Sequence, residues 1–243
     1  MNRRNKNSVK WVAKFIADVA YILIMACYYI IKLIVNIFLF FIQMIMFSNT
    51  QYKAKSGNSF LKTYFDKGHW GEYQLYRRLI KVFGEDKLLT NIYLPSKNVD
   101  NTEIDVLGVH NGIIYCYEVK NYSGYIYGKE GDKYWTQVLR FRTKNKFYNP
   151  LRQNYAHSKA LAEYLEIEEQ EIVPIVVFGN RTNLSNVFVS KATIYRINTN
   201  FTVYENATGS LDDSTILSRL TANTNVDQAT KNTHVEQIQQ LKL

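Results

Sequence analysis

From Val19 to Phe47 the chain is almost wholly apolar, broken only by Lys32, Asn36 and Gln43. As a helix this stretch would extend roughly 40 Å, more than the roughly 30 Å hydrocarbon core of a bilayer. It is too long for a signal-peptide core of about 7 to 15 residues, and no small-residue cleavage site follows it. Few helices of soluble proteins are apolar all round for so long. The expectation is a retained membrane anchor in which residues 19–47 meet lipid. Lys32 complicates it, because lysine at the bilayer centre costs about 2.5–3.5 kcal/mol on insertion scales. Two geometries remain open: one tilted transmembrane helix, or a re-entrant membrane hairpin bent near Lys32. Basic residues flank both ends, Lys10 and Lys14 before and Lys53 and Lys55 after, so charge counting chooses no side.

The 243 residues leave room for one ordinary domain beside the anchor. With 47% hydrophobic and 21% charged residues, disorder is excluded for the bulk of the chain. The net charge of +9 is unevenly placed: residues 1–50 hold six Lys or Arg against one acid, so overall basicity says little about a polyanionic partner. Cys27 and Cys116 are the only cysteines, too few for a disulfide framework or a cysteine-rich metal site. Since Cys116 needs no oxidising compartment, the domain is expected on the cytoplasmic side of the membrane.

Residues 1–50 thus read as basic flank and anchor, and polar residues 51–66 as a juxtamembrane linker. The folded domain is expected over 67–220, with a polar tail over 221–243. The pattern predicts an amphipathic helix over 71–83 ended by Gly84, and strands over 102–109 and 113–120. A second helix, opened by Asn149 and Pro150, runs to about Leu165. Strands follow at 173–178, 187–197 and 201–204, then a helix at 211–220, which together make a mixed α/β domain.

Asn111-Gly112 between two strand-like runs is a strong signal for a two-residue hairpin. If His110 pairs with Ile113, Asp105 stands opposite Glu118 and Glu103 opposite Lys120. Opposed carboxylates destabilise a sheet, so something positive belongs between them. A divalent cation such as Mg2+ (or Mn2+), which takes one or two carboxylates plus water and substrate phosphate, fits that need. Glu72 lies on the apolar stripe of its own helix and also requires a partner. Gln153 and His157 share one face of the second helix; His157 is equally compatible with a structural role.

These residues resemble a known family, the NERD (nuclease-related) domain of the PD-(D/E)XK nuclease superfamily. The resemblance is carried in order by Gly68-His69-Trp70-Gly71-Glu72, Thr102-Glu103-Ile104-Asp105, and Tyr117-Glu118-Val119-Lys120-Asn121 with Gly124 and Gly128. Trp135, Gln137, Asn149-Pro150-Leu151-Arg152-Gln153-Asn154 and His157 complete it. It implies a restriction-endonuclease-like mixed sheet flanked by helices. Asp105, Glu118 and Lys120 then fill the catalytic positions, Glu72 the acidic position of the first helix, and Gln153 a place beside the site. Ile104 stands where the superfamily has its proline. Asp105, Glu118 and the Val119 carbonyl are the expected metal ligands.

Arg140, Arg142, Lys144, Lys146 and Arg152 fall in a stretch with no acid between Asp132 and Glu163, interleaved with Tyr134, Trp135, Phe141, Phe147 and Tyr148. Cations for phosphates beside aromatics for stacking describe a nucleic-acid surface, expected to engage DNA. An exposed basic hairpin with core aromatics is the plainer reading of the same pattern. The resulting expectation is a membrane-anchored, metal-dependent nuclease. A membrane-held module that binds nucleic acid or protein without cutting is the alternative.

Overall fold

The apolar run and its basic flank form one uninterrupted helix, α1 (Arg3–Ser48), about 70 Å long for its 46 residues. The computed structural model describes residues 3–94, 102–140, 143–190 and 193–221. Lys32 lies inside α1 with no break around it, so the bent hairpin is not formed. Residues Lys10–Ser48 are long and apolar enough to cross a membrane. The chain divides into two units after Asn49.

The second unit opens with two short helices, α2 (Tyr52–Ser56) and α3 (Phe60–Phe65), where a linker was expected. The reason is burial: Tyr52 is fully enclosed, with its ring 5.2 Å from those of both Tyr73 and Tyr76. Both tyrosines belong to α4 (Lys67–Phe83), which Asp66 caps by accepting the His69 amide and which ends at Gly84. After a single 3-10 turn come β1 (Leu88–Leu94), β2 (Thr102–His110) and β3 (Ile113–Lys120). Then β4 (Gly124–Lys129), β5 (Tyr134–Val138) and β6 (Lys144–Tyr148) precede α5 (Pro150–Leu165). The chain continues through β7 (Ile172–Phe178), β8 (Thr182–Phe188), β9 (Thr193–Arg196) and α6 (Asp213–Thr221).

The strands make two mixed sheets. The larger has the order β1-β2-β3-β7-β9, antiparallel through β3 and parallel beyond it. The smaller has the order β6-β5-β4-β8, with only β4 and β8 parallel. Against one face of the larger sheet α5 and α6 bring Leu161, Leu165, Ile216 and Leu220 onto Ile92, Ile114 and Cys116. On the other face Phe83 of α4 meets the Tyr115 ring at 5.2 Å. Trp135 and Phe178 stack at 6.3 Å in a second core beneath the smaller sheet.

Several expected boundaries moved. Strand β1 was not foreseen, because Thr90 and Asn91, the latter at φ 52°, interrupt its apolar pattern. The run 187–197 divides between β8 and β9, and residues 201–204 form no strand although Phe201 is buried. The expected tail beyond Thr221 lies outside the described residues.

Candidate active site

Asn111 and Gly112 both take positive φ, 52° and 76°, as a type I′ turn demands, and His110 pairs with Ile113. The backbone ladder of this hairpin runs from that pair to Val106 opposite Tyr117 and then stops. Beyond it the Asp105 side chain takes over: its Oδ2 accepts the Val119 amide at 2.7 Å. The expected opposition of Glu103 and Lys120 is absent because the ladder has already ended, and on its other edge Glu103 pairs with Tyr93 of β1 and accepts Asn91 Nδ2 at 2.9 Å. The ladder opens where its hydrogen bonds pass to a side chain.

Glu118 is 1% exposed and both its oxygens are held. Lys120 Nζ lies 2.6 Å from Oε1, and His157 Nε2 lies 3.1 Å from Oε2. Lys120 also donates to Gln153 Oε1 at 3.1 Å, so one ammonium bridges the strand acid and the helix amide. The positive charge that the acids call for is therefore present as a lysine. His157 serves as a hydrogen-bonded partner of Glu118, and its neighbour Asn154 ties α5 to the sheet by donating to the carbonyls of Cys116 and Ile175.

Charge is unevenly compensated. Burial, then the Glu118 and Glu72 carboxylates, push the Asp105 carboxyl well above the usual range, while Lys120 and the Val119 amide oppose them. For Glu118, burial works upward, but Lys120 and His157 outweigh it and hold the carboxyl below its ordinary value. Burial works to lower the Lys120 ammonium, and Glu118 and Asp105 more than offset it.

Glu72 points inward from α4, with Oε2 3.4 Å from both the Tyr52 hydroxyl and His69 Nδ1. That hydrogen bond raises the His69 imidazole. Tyr52 is pushed far upward by burial and then by Glu72, with Asp105 adding to the effect, which places both acids within its electrostatic reach. Tyr52 escaped the sequence reading because it stands in a five-residue helix without usable periodicity. Asn121, just past Lys120, donates Nδ2 to the Lys67 carbonyl at 2.7 Å and fixes the start of α4 beside β3. A Cβ on Gly71 would come within 2.5 Å of the Asn121 Cβ, so this helical position takes only glycine without movement.

The basic residues are gathered less tightly. Lys144 and Lys146 are exposed on the edge strand β6, and Arg140 is exposed before it. Arg152, on α5, donates Nη2 to the Gly131 carbonyl. Arg142 and Phe141 lie outside the described residues. Trp135 is fully buried and Phe147 packs on it at 6.4 Å, so these two rings serve the core. Tyr134 and Tyr148 remain exposed.

As for a metal, no cluster of three or more His, Cys, Asp or Glu side chains is drawn together among the described residues. The donor types nevertheless suit a hard cation: Asp105 and Glu118 supply carboxylates, and burial with the Glu118 and Glu72 charges raises the Asp105 carboxyl despite Lys120.

A family model for the nuclease-related domain matches residues 67–179. An uncharacterized protein of Bacillus anthracis is 35% identical over 124 residues, which cover 51% of this chain and 58% of that protein. The matched region thus spans less than two thirds of that relative's length. No solved structure matches the chain. The matched span runs from the first residue of α4 past the end of β7 and encloses Glu72, Asp105, Glu118, Lys120 and Gln153, so it is over this span that the chain is similar to the nuclease-related domain family.

Proposed function

We propose that the domain is a metal-dependent nuclease that hydrolyses phosphodiester bonds of nucleic acid, DNA in the first instance, and that α1 anchors it to a membrane with the domain on the cytoplasmic side. The observation that carries this reading is the convergence of Asp105, Glu118, Lys120 and Gln153 where the β2–β3 ladder opens. Asp105, Glu118 and the Val119 carbonyl would hold Mg2+ or Mn2+. Such an ion, when bound, neutralises phosphate charge and lowers the pKa of a bound water.

The chain's own groups supply the rest. The Val119 amide fixes Asp105, and Gln153 accepts from the Lys120 ammonium, which Glu118 also holds. So held, the ammonium orients an attacking water or faces the charge that develops on phosphate. Glu72, with Tyr52 and His69, adds a third carboxylate whose field reaches Asp105.

The second reading, a membrane-held module that binds nucleic acid or protein without cutting, is favoured by one observation: both Glu118 oxygens are already engaged. The deciding experiment incubates the full-length protein, purified in detergent, with DNA and RNA in Mg2+, Mn2+ or EDTA. Metal-dependent cleavage that vanishes in Asp105→Asn supports the nuclease. Binding with no cleavage in any metal supports the module.

A further inference from the structure

The smaller sheet has two unlike faces. Its inner face carries Ile126, Trp135, Phe147 and Val187 into the core. Register and alternation assign the outer face: Tyr125 stands opposite Val138, Tyr127 opposite Thr136, and Tyr134 opposite Tyr148. On the flanks Lys144 and Lys146 of β6 share this face with Tyr148, while Lys129 of β4 stands beside Phe188 of β8.

Five aromatic rings lie on that surface, and all are open to solvent: Tyr125 is 51% exposed, Tyr127 45%, Tyr134 53%, Tyr148 42% and Phe188 64%. Strand propensity favours tyrosine but does not require so many exposed rings on one face of one small sheet. Of these five, only Tyr134 and Tyr148 make a ring pair, edge to face at 6.0 Å, and Lys133 sits 5.5 Å over Tyr134. No outer-face strand position among the described residues is Asp or Glu, whereas three are lysine.

We propose that this outer face is a platform for single-stranded nucleic acid. Flat rings on a four-stranded sheet offer stacking surfaces to unpaired bases, and the lysines at its margins offer cations to the phosphates. Charge complementarity selects this occupant: a lysine-bearing face with no carboxylate among its strand positions suits a polyanion. Its apolar groups are nearly all aromatic, which suits bases better than acyl chains. The platform is continuous with the acid site in the chain, since β4 begins four residues after Lys120 and β6 leads through Asn149 into the helix bearing Gln153. The proposal rests on the nucleic-acid role proposed for the domain and names the form of the strand it receives.

The test uses full-length protein in detergent and fluorescent single-stranded and duplex oligonucleotides in EDTA, so that binding is read without cleavage. Tyr125→Thr/Tyr127→Thr keeps strand propensity while removing two rings. Single-strand affinity is expected to fall about tenfold or more, with the salt dependence little changed. Lys144→Gln/Lys146→Gln is expected to lower the log–log salt slope by about 0.7 for each phosphate no longer neutralised. Circular dichroism of both variants checks the fold. Unchanged affinity and slope in folded variants would overturn the platform, even if the wild type cuts nucleic acid in Mg2+. So would wild type that ignores oligonucleotides but binds anionic vesicles through these tyrosines. Loss of binding in the variants supports the platform whether or not cleavage is ever observed, so the two proposals fail separately.

Discussion

Asp105 accepts the Val119 amide at 2.7 Å, one step beyond the last backbone pair of its hairpin. A side chain thus completes the edge of the ladder, and the same carboxylate stands in the field of Glu118 and Glu72. Its position is fixed by a hydrogen bond and its charge is opposed by its surroundings.

That conflict predicts the behaviour of Asp105→Asn. The amide keeps an oxygen for Val119 and removes the repelled charge. The Asp105 carboxyl is raised in the folded state, so the wild type binds more protons folded than unfolded. Its stability therefore falls as pH rises from the unfolded value of about 3.9 toward the raised one. In EDTA at pH 7 the variant should melt above wild type by roughly a few degrees, and the gain should vanish near pH 3. Thermal melts across pH check this; a variant less stable than wild type at pH 7 would show that the charge is well compensated.

Lys120→Ala leaves Glu118 buried with only His157 to hold it. Removing one partner of a buried ion pair costs about 3–5 kcal/mol. Lys120→Ala should therefore melt well below wild type, and Lys120→Ala/Glu118→Gln should recover most of the loss. Absence of recovery in a double-mutant cycle would place the cost elsewhere.

Truncation tests the boundary of the domain. Removal of residues 1–49 keeps Tyr52 and should leave a cooperative domain, whereas removal of residues 1–66 takes that ring from between Tyr73 and Tyr76. Losing a buried aromatic costs about 3–5 kcal/mol. Urea melts of the two fragments should differ accordingly; equal midpoints would mean that residues 50–66 behave as a linker.

Gly71→Ala places a methyl 2.5 Å from the Asn121 Cβ, which is close to the backbone and cannot swing away. Overpacking of this kind costs about 1–3 kcal/mol, despite the higher helix propensity of alanine. Asn121→Gly should relieve the collision in the double variant. A Gly71→Ala protein as stable as wild type would show that α4 moves freely against β3.

A second pH effect belongs to Asp213, which accepts Lys87 Nζ at 2.7 Å and the Gly112 amide at 2.7 Å. Burial works to raise this carboxyl, and these bonds outweigh it and lower it. A lowered carboxyl stabilises above its unfolded value of about 3.9 and loses that contribution as pH falls through the folded value. Asp213→Asn should thus lose about 1 kcal/mol at pH 7, a modest figure because the lysine partner is so exposed, with the loss shrinking toward pH 2. Denaturation curves at the two pH values decide it.

The sequence made some elements legible because their signals are local. Asn111-Gly112 specifies a turn by backbone torsion, and Asn149-Pro150 starts α5 by a cap and a fixed φ. The continuous run Ile113–Lys120 reads as a strand at its full extent. The hairpin register alone sets Asp105 near Glu118 and Lys120, whereas the placing of Glu72 and Gln153 beside them comes from the family resemblance, because helical spacing tells which face a residue shares but not what that face meets. Tyr52 and β1 could not be read, since a five-residue helix shows no period and Asn91 turns the strand where its apolar pattern fails. Nor could Lys120 be foreseen as the cation beside Glu118. Two residues apart on one strand they share a face, but only the bend of a long flexible side chain brings their charges together.

Five rungs separate the Asn111-Gly112 turn from the point where the hairpin opens, and they act as a ruler. Substitutions along them can trade one apolar side chain for another without moving the acids. An inserted or deleted residue in either strand has a different effect, because a slip of one position carries each side chain beyond it to the opposite face. Asp105 would then turn away from Glu118 even though both were still present. The length of this hairpin is for that reason as much a part of the site as the carboxylates at its end.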